Sequence, residues 1–216
     1  FSWGLIVYPL VAPTLADSLG SPLQVVAILA KEVFLGLMIG VVAAKSFWIA
    51  MSVGFFIDNQ RGSSMAQVFD ANSGEQTSPI GQFLQQTMIT LFFVSGGMLV
   101  FLGAVFETYV VWPVPSFFPR LDPQFPQFVL QFADDLMRSV VVLAAPAIVL
   151  LFLTDFGLGL VNRFAPQLNV FFLAMPVKCL VALVVLVLYL PLLLRMLGAE
   201  QAETAAELEL LRKLWS

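Results

Sequence analysis

Long apolar runs separated by shorter polar stretches make up most of this chain. The first clear helix signal is Ser21 followed by Pro22, typical of an N-cap with proline at the first helical position. From Leu23 to Ile57 the sequence is apolar without a helix breaker, although three charged side chains interrupt it. A single helix over this run would extend about 54 Å, whereas a bilayer core is roughly 30 Å thick. Either the run breaks in its middle or it forms one long helix packed mainly against protein, and we favour the long helix.

The next apolar run predicts a second helix. Ser78 followed by Pro79 repeats the start signal, and the helix continues to about residue 112. Gly96 and Gly97 in its middle would allow a kink or a close backbone approach. The connection that follows, residues 113–126, carries five prolines and cannot be regular helix.

The last two apolar runs are joined by the short stretch RFAPQLN and must form an antiparallel hairpin. We assign Arg163, Pro166 and Asn169 to the geometry of this hairpin turn. The remaining residues, 198–216, carry Leu208 and Leu211 on one face and predict a separate amphipathic helix outside the apolar body. No strand-like alternation occurs, so the predicted fold class is all-α.

The polar stretch from Ile57 to Gln82 is the exception in this apolar chain and the first place to look for function. Non-helical backbone cannot face lipid, because its N–H and C=O groups would be unsatisfied. The stretch therefore lies in water, packs within protein or lines a water-filled passage. Its Gly, Ser and Asn residues supply turn chemistry, while Met65, Val68 and Phe69 supply soft apolar contacts. This mixture suits a mobile pore plug and a solvent-exposed connector equally well.

Composition narrows the function classes. Hydrophobic residues make up 60% of the 216 residues and charged residues 11%, against roughly 25% charged in an ordinary soluble domain. A net charge of −4 gives no basic surface for nucleic acid. The chain has no histidine and a single cysteine, Cys179, which excludes a disulfide within the chain and the commonest general base. We find no phosphate loop, metal-ligand cluster or nucleophile–base pair, so we predict no catalytic, cofactor or metal residues and no enzyme activity.

Small and charged residues inside the apolar runs have structural and functional interpretations. Gly36 and Gly40 form a G-x-x-x-G pattern that favours close helix packing. Charges in such runs are costly unless they are paired, snorkelling or facing water, and ion pathways use them. The charged residues concerned are Lys31, Lys45, Asp155 and Lys178. We favour structural roles for them. We expect Asp155 to pair with Arg163 across the hairpin and Lys178 to snorkel from a helix end.

Two anchors in the sequence resemble a known family. The first is DNQRGSSMAQVFDANSGEQTSPIGQFLQQ with the uncharged LFFVSGGML helix, and the second is NRFAPQLNVFFLAMPVKCLVALVVL. Both resemble the SctT (YscT/SpaR) proteins of virulence type III secretion systems, which are relatives of flagellar FliR. The apolar pattern between the anchors resembles that of the family over nearly the whole chain, and the NQRG and SGEQTSP motifs are closer to the virulence branch.

The resemblance implies a structural and gating subunit of the export apparatus core, which forms part of the entry channel for unfolded secreted proteins. Expected partners are SctR-like and SctS-like subunits, an SctU-like switch protein, inner rod or needle subunits, and membrane lipid. Expected localisation is the bacterial inner membrane within the secretion system base, raised toward the periplasm. Family members usually begin somewhat earlier, so we expect sequence upstream of Phe1. Charge bias predicts no orientation, because basic residues occur in every connection.

The resemblance also assigns parts of the chain. Residues 1–137 correspond to an SctR-like part, 138–197 to an SctS-like hairpin and 198–216 to the terminal helix. The family's plug loop maps to about residues 69–79, and the expected plug or gate residues are Met65, Val68, Phe69, Asp70, Asn72, Gly74 and Glu75. The alternatives are a polytopic small-solute permease subunit, with a ligand near Lys31, Lys45 or Asp155, and a purely structural membrane scaffold.

Overall fold

The computed structural model describes residue 8 and residues 22–62, 78–115, 123–165 and 170–215. Within these ranges the chain forms five helices and no strand: α1 Pro22–Arg61, α2 Pro79–Val94, α3 Gly97–Val111, α4 Phe125–Phe164 and α5 Val170–Trp215. The all-α prediction is confirmed.

The first apolar run is one continuous helix of 40 residues, as we expected from the absence of a breaker. It continues beyond Ile57 to Arg61, so the first five residues of the polar stretch, 57–61, belong to α1. Polarity alone misplaced this boundary. Asp58, the first acidic residue of that stretch, is 1% exposed because tertiary contacts satisfy its carboxylate.

The second run breaks at its glycine pair. Gly96 has a φ of 79°, a left-handed conformation that glycine adopts without steric penalty, and separates α2 from α3. The amide of Leu99 then bonds to the carbonyl of Gly96 at 2.9 Å as the new helix begins. The predicted kink is therefore a full interruption of the helix.

The prolines of the later segments occupy the first turn of a helix or lie within a helix. Pro126 occupies the first turn of α4, where its missing N–H has no intrahelical partner to lose. Pro146 lies within α4, and Pro176 and Pro191 lie within α5. In the connection predicted as non-helical over 113–126, residues 113–115 and 123–124 are non-helical as predicted, but Phe125 and Pro126 already belong to α4.

The prediction of a separate terminal helix at residues 198–216 is wrong in two respects. This region is helical, but it continues α5 without a break at Gly198. The Ala- and Glu-rich stretch after Gly198 consists of good helix formers, and no proline or left-handed residue stops the helix. Leu208 and Leu211 are 7% and 2% exposed, so the apolar face of this region is buried rather than outside the body.

The chain divides into two compact units. Unit 1 comprises residues 1–45, 93–131 and 202–216, and unit 2 comprises residues 46–92 and 132–201. The hydrophobic core of unit 2 joins α1, α2, α4 and α5 through residues that include Ile49, Leu84, Leu143, Leu151 and Leu193, each at most 1% exposed.

The hairpin of α4 and α5 is antiparallel within unit 2. The Tyr189 hydroxyl donates to the carbonyl of Leu143 at 3.1 Å, and Lys178 forms an ion pair with Asp155. In both pairs, the residue of α4 and the residue of α5 are about equally far along the chain from the connection between the helices. This arrangement confirms the predicted hairpin.

Three of the described helices are long and apolar enough to cross a membrane: α1, α4 and residues 172–211 of α5. Counting α2 and α3 as one broken span gives a fourth. Only 28%, 28% and 17% of the residues in their most apolar windows are buried by the chain itself. Most of this apolar surface is therefore left for lipid or for other proteins to cover.

Candidate functional site

A buried carboxylate joins the two ends of the polar segment at residues 63–77. Asp58, in the last turn of α1, accepts hydrogen bonds from the hydroxyl of Ser78 at 2.6 Å and the backbone N–H of Ile80 at 2.9 Å. Its other oxygen lies 2.7 Å from Nε of Arg61 in an ion pair. The carboxylate thus connects the end of α1 to the start of α2, and we call Asp58, Arg61 and Ser78 the loop base.

The start of α2 satisfies each of its first backbone donors at the loop base. Pro79 has no N–H. The backbone N–H of Ile80 donates to Asp58, and the backbone N–H of Gly81 donates to Oγ of Ser78 at 3.0 Å. The amide of Gln82 bonds to the carbonyl of Ser78 at 2.9 Å. Ser78 is therefore the N-cap that the sequence predicted, and Asp58 supplements it from another helix.

Two glycines let α1 and α2 approach at backbone distance beside the loop base. A Cβ added to Gly54 would lie 2.4 Å from both Cα and N of Gly81 and 2.6 Å from the carbonyl carbon of Ile80. A Cβ added to Gly81 would lie 3.0 Å from the carbonyl oxygen of Met51. No side chain larger than hydrogen fits at Gly54 unless the helices separate.

A second polar group holds the end of α1 against the hairpin. Asp155 of α4 pairs with Lys178 of α5, and the side-chain amide of Gln60 donates to Oδ2 of Asp155 at 3.3 Å. The ammonium of Lys178 also lies 3.4 Å from the carbonyl oxygen of Gln60. That carbonyl belongs to the last turn of α1, where a cation interacts favourably with the helix dipole. We expected Asp155 to pair with Arg163 and Lys178 to snorkel from a helix end. Both expectations are wrong, because Asp155 and Lys178 pair with each other between the two helices of the hairpin.

The charges within unit 1 are also paired. The ammonium of Lys31 donates to the carbonyls of Pro113 at 3.1 Å and Val114 at 3.0 Å and lies 2.9 Å from the carboxylate of Glu32. It also lies 5.4 Å from the ring centre of Trp112, within cation–π range. These contacts fix the beginning of the proline-rich connection to α1.

Lys45, 1% exposed, forms an ion pair with Glu207 and ties the last part of α5 to α1 within unit 1. A charge buried to this degree is costly without such a partner. The structural roles that we favoured for these lysines agree with both sets of contacts.

The predicted plug residues, Pro166 and Asn169 lie outside the described residues. Arg163 is exposed in the last turn of α4, where its charge complements the helix dipole. A Cβ at Gly36 or Gly40 would meet no described atom within 4 Å, so neither glycine is a close contact within the described chain. Packing through them stays a prediction for another molecule.

Sequence reasoning missed the roles of Asp58, Gly54 and Gly81. Asp58 lies in the polar stretch 57–82, which the sequence analysis treats as non-helical, and the small-residue spacing of Ala50 and Gly54 is not singled out there. The available signal was the apolar context of Asp58 combined with the Ser-Pro start of α2. A helix start needs acceptors, and a carboxylate is a strong one.

The chemistry of these groups is structural. Among the described residues, no group of three or more His, Cys, Asp or Glu side chains is placed to hold a metal ion. The loop base and the group around Asp155 each consist of hydrogen bonds and ion pairs that join helix ends. Their arrangement can fix the geometry of a loop.

Comparisons with known proteins identify the family. A model described as "Bacterial export proteins, family 1" matches residues 1–203. The chain is 45% identical to Yop proteins translocation protein T of Yersinia pestis over 188 residues, which cover 87% of this chain and 72% of that protein. It is 36% identical over 160 residues to secretion system apparatus protein SsaT of Salmonella typhimurium, covering 74% of this chain and 61% of that one. It is 34% identical over 159 residues to flagellar biosynthetic protein FliR of Bacillus subtilis, covering 73% and 61%. The chain therefore belongs to family 1 of the bacterial export proteins, the FliR-related family of type III export that the two sequence anchors predicted.

Proposed function

We propose that this chain is a structural and gating subunit of a type III secretion export apparatus in the bacterial inner membrane. With SctR-like and SctS-like subunits it forms part of the entry channel for unfolded secreted proteins, raised toward the periplasm. An SctU-like switch protein and inner rod or needle subunits are its further partners. The family match and the names of its relatives, which include translocation and apparatus proteins, support the role in export. Nothing in this role requires enzyme chemistry.

The loop base is the observation that supports gating. Asp58 and Ser78 are hydrogen bonded, so the chain leaves α1 and enters α2 at one point, with residues 63–77 between them. The base is rigid, because buried hydrogen bonds and the contact of Gly54 with Gly81 fix both helix ends. A polar segment of 15 residues anchored at a rigid point can obstruct a passage and move aside without unfolding its helices.

The uncovered apolar surface supports assembly with other subunits. The described helices expose large apolar side chains over much of their length, including Phe152, Phe156, Leu183 and Leu188, each more than 60% exposed. Surfaces of this kind are covered by lipid or by neighbouring proteins. SctR-like and SctS-like subunits in an export complex would cover those faces that lipid does not.

The permease alternative receives no support from the charges it needs. Lys31, Lys45 and Asp155 are each engaged in an ion pair with another residue of this chain. Lys31 and Lys45 belong to unit 1 and Asp155 to unit 2. A ligand near these groups would have to displace the pairs.

The test of gating is a shortened loop with an intact base. Deleting residues 67–74 leaves Asp58, Arg61 and Ser78 in place and keeps seven linking residues, which can span about 23 Å. The variant is expressed together with the other apparatus subunits, and ion conductance of the closed complex is measured in membranes. We expect normal co-purification and a higher conductance than in the unaltered complex.

The matched control replaces the same eight residues by a Gly/Ser sequence of equal length. It preserves the length of the segment but removes its larger side chains, so we expect a conductance between those of the unaltered and shortened forms. Equal conductance in all three complexes would disprove the gating role and favour a structural scaffold. Loss of co-purification in the deletion would instead show that the segment is needed for assembly, contrary to the proposal.

A further inference from the structure

The Asp155–Lys178 pair lies at the edge of the packed part of the hairpin. The last buried residue of α4 is Leu151, and among the described residues of α5 the first buried one is Ala182. Between them, none of residues 152–165 and 172–181 is buried. Asp155 and Lys178 therefore begin the part of the hairpin in which no described residue is buried.

Both helices are locally weakened beside this pair. Gly157 and Gly159 follow Asp155 by two and four positions, and a glycine within a helix destabilises it by about 1 kcal/mol relative to alanine. Pro176 precedes Lys178 by two positions and removes one backbone hydrogen bond of α5. The helical backbone on both sides of the pair is therefore less stable than in a helix without these residues.

The pair contacts α1 through Gln60 in two ways. The side-chain amide of Gln60 donates to Asp155, and its carbonyl lies near the ammonium of Lys178. Gln60 is separated by one residue from Asp58 and directly precedes Arg61, both members of the loop base. A movement of the hairpin end therefore acts directly on the residues from which the segment at 63–77 starts.

The pair is only partly shielded from water. The exposed fractions of the side chains are 17% for Lys178 and 35% for Asp155. Ion pairs in water contribute little to folding, and those partly exposed can open without the large desolvation imbalance of a buried charge. These properties fit a contact that positions an element and can be released.

From this geometry we propose that Asp155 and Lys178 are positioning residues that, through Gln60, hold the end of α1 and with it the start of the gating segment. Opening the pair frees Gln60 and the residues of α1 after it, from which the segment at 63–77 starts, while the hydrogen bonds from Ser78 and Ile80 to Asp58 stay in place. The inference rests on the proposed function only for its consequence, channel closure. The positioning of α1 is a separate claim with its own measurement.

The experiment replaces the pair by apolar residues of similar size in the variant Asp155→Leu/Lys178→Met. Replacement of both partners leaves net charge unchanged and avoids an uncompensated charge, so the hairpin is retained. Both contacts to Gln60 are lost. We expect hydrogen exchange of the amides at residues 59–62 to be about tenfold faster in the assembled complex, co-purification to be unchanged and closed-state conductance to rise. The matched control, Asp135→Leu/Arg138→Met, removes two exposed charges of the same signs from α4 and should change none of the three.

The outcomes separate the two proposals. Exchange at residues 59–62 equal to that of the control would overturn the positioning role, whatever the conductance. Faster exchange with unchanged conductance, in a complex that the deletion of 67–74 does make leak, would overturn the link to closure and leave the gating role intact. If the deletion itself causes no leak, the gating role fails and the exchange measurement alone decides the positioning role. The variant Gln60→Leu, which leaves the ion pair in place, should reproduce part of the exchange effect.

Discussion

The contact between Gly54 and Gly81 predicts a change in stability on mutation of Gly54 that is opposite in sign to the change expected from the sequence alone. Gly54 lies within α1, about two turns before its end, where replacing glycine by alanine normally stabilises a helix by about 1 kcal/mol. Here the added methyl group would lie 2.4 Å from two backbone atoms of Gly81. We therefore predict that Gly54→Ala destabilises the protein.

The magnitude follows from the geometry. Carbon atoms in contact are normally about 3.5–4.0 Å apart, so α1 and α2 would have to separate by about 1 Å. Overpacking of this kind costs about 1–3 kcal/mol, and no side-chain rotation relieves it because the opposing atoms are backbone. Separation also stretches the hydrogen bonds from Ser78 and Ile80 to Asp58, each worth about 1 kcal/mol. After the helix-propensity gain, a net loss of about 2–3 kcal/mol remains.

The assay is thermal unfolding of the chain co-purified with its partner subunits in one detergent. The control is Gly198→Ala, the same chemical change within α5 at a position where a Cβ meets no described atom within 4 Å. It should stabilise by about 1 kcal/mol. With about 2–4 °C per kcal/mol for a chain of this size, the two midpoints should differ by about 10 °C. A midpoint for Gly54→Ala equal to or above that of Gly198→Ala would refute the close backbone contact.

Two further predictions concern the buried charges. Asp58→Ala removes the acceptor shared by Ser78 and the start of α2, which should lower the free energy of unfolding by about 2–3 kcal/mol. The change also removes the ion-pair partner of Arg61, so trypsin should cleave after Arg61 faster than in the unaltered protein. An unchanged cleavage rate would contradict the loop base. Lys45→Met deprives Glu207 of its buried ammonium and should cost about 3–5 kcal/mol, whereas Lys45→Met/Glu207→Leu should be nearly neutral. Thermal unfolding checks this pair, and two variants of equal stability would show that the ion pair does not hold α5 to α1.

The fold could be predicted largely from local signals. Ser78 and Pro79 start α2 where the sequence placed it, and the glycine pair marks the interruption before α3. Such signals act over three or four residues, so neighbouring side chains suffice to predict them. The errors occurred where polarity was taken for a boundary: α1 continues through Asp58 to Arg61, and α5 continues through Gly198.

The site was less predictable, because its partners are distant in sequence. Gly54 and Gly81 are 27 positions apart and Gln60 and Asp155 are 95 positions apart, so no spacing pattern reveals them. Conversely, Gly36 and Gly40 have the spacing of a packing motif but face open space within the described chain. A small-residue pattern indicates only that another helix can pack closely against the backbone there. Which helix does so depends on the tertiary structure.

The paired charges and the exposed apolar faces have complementary consequences for assembly. Lys31, Lys45, Lys178, Asp58 and Asp155 all find oppositely charged partners within this chain. A neighbouring subunit therefore need not supply counter-charges to these five groups, and it can bind through apolar contact alone. Apolar contacts between helices tolerate sliding better than directional hydrogen bonds do, whereas the internal polar contacts fix particular helix ends. For the channel role that we propose, this construction keeps the loop base in a defined geometry while the outer faces adjust to neighbouring subunits.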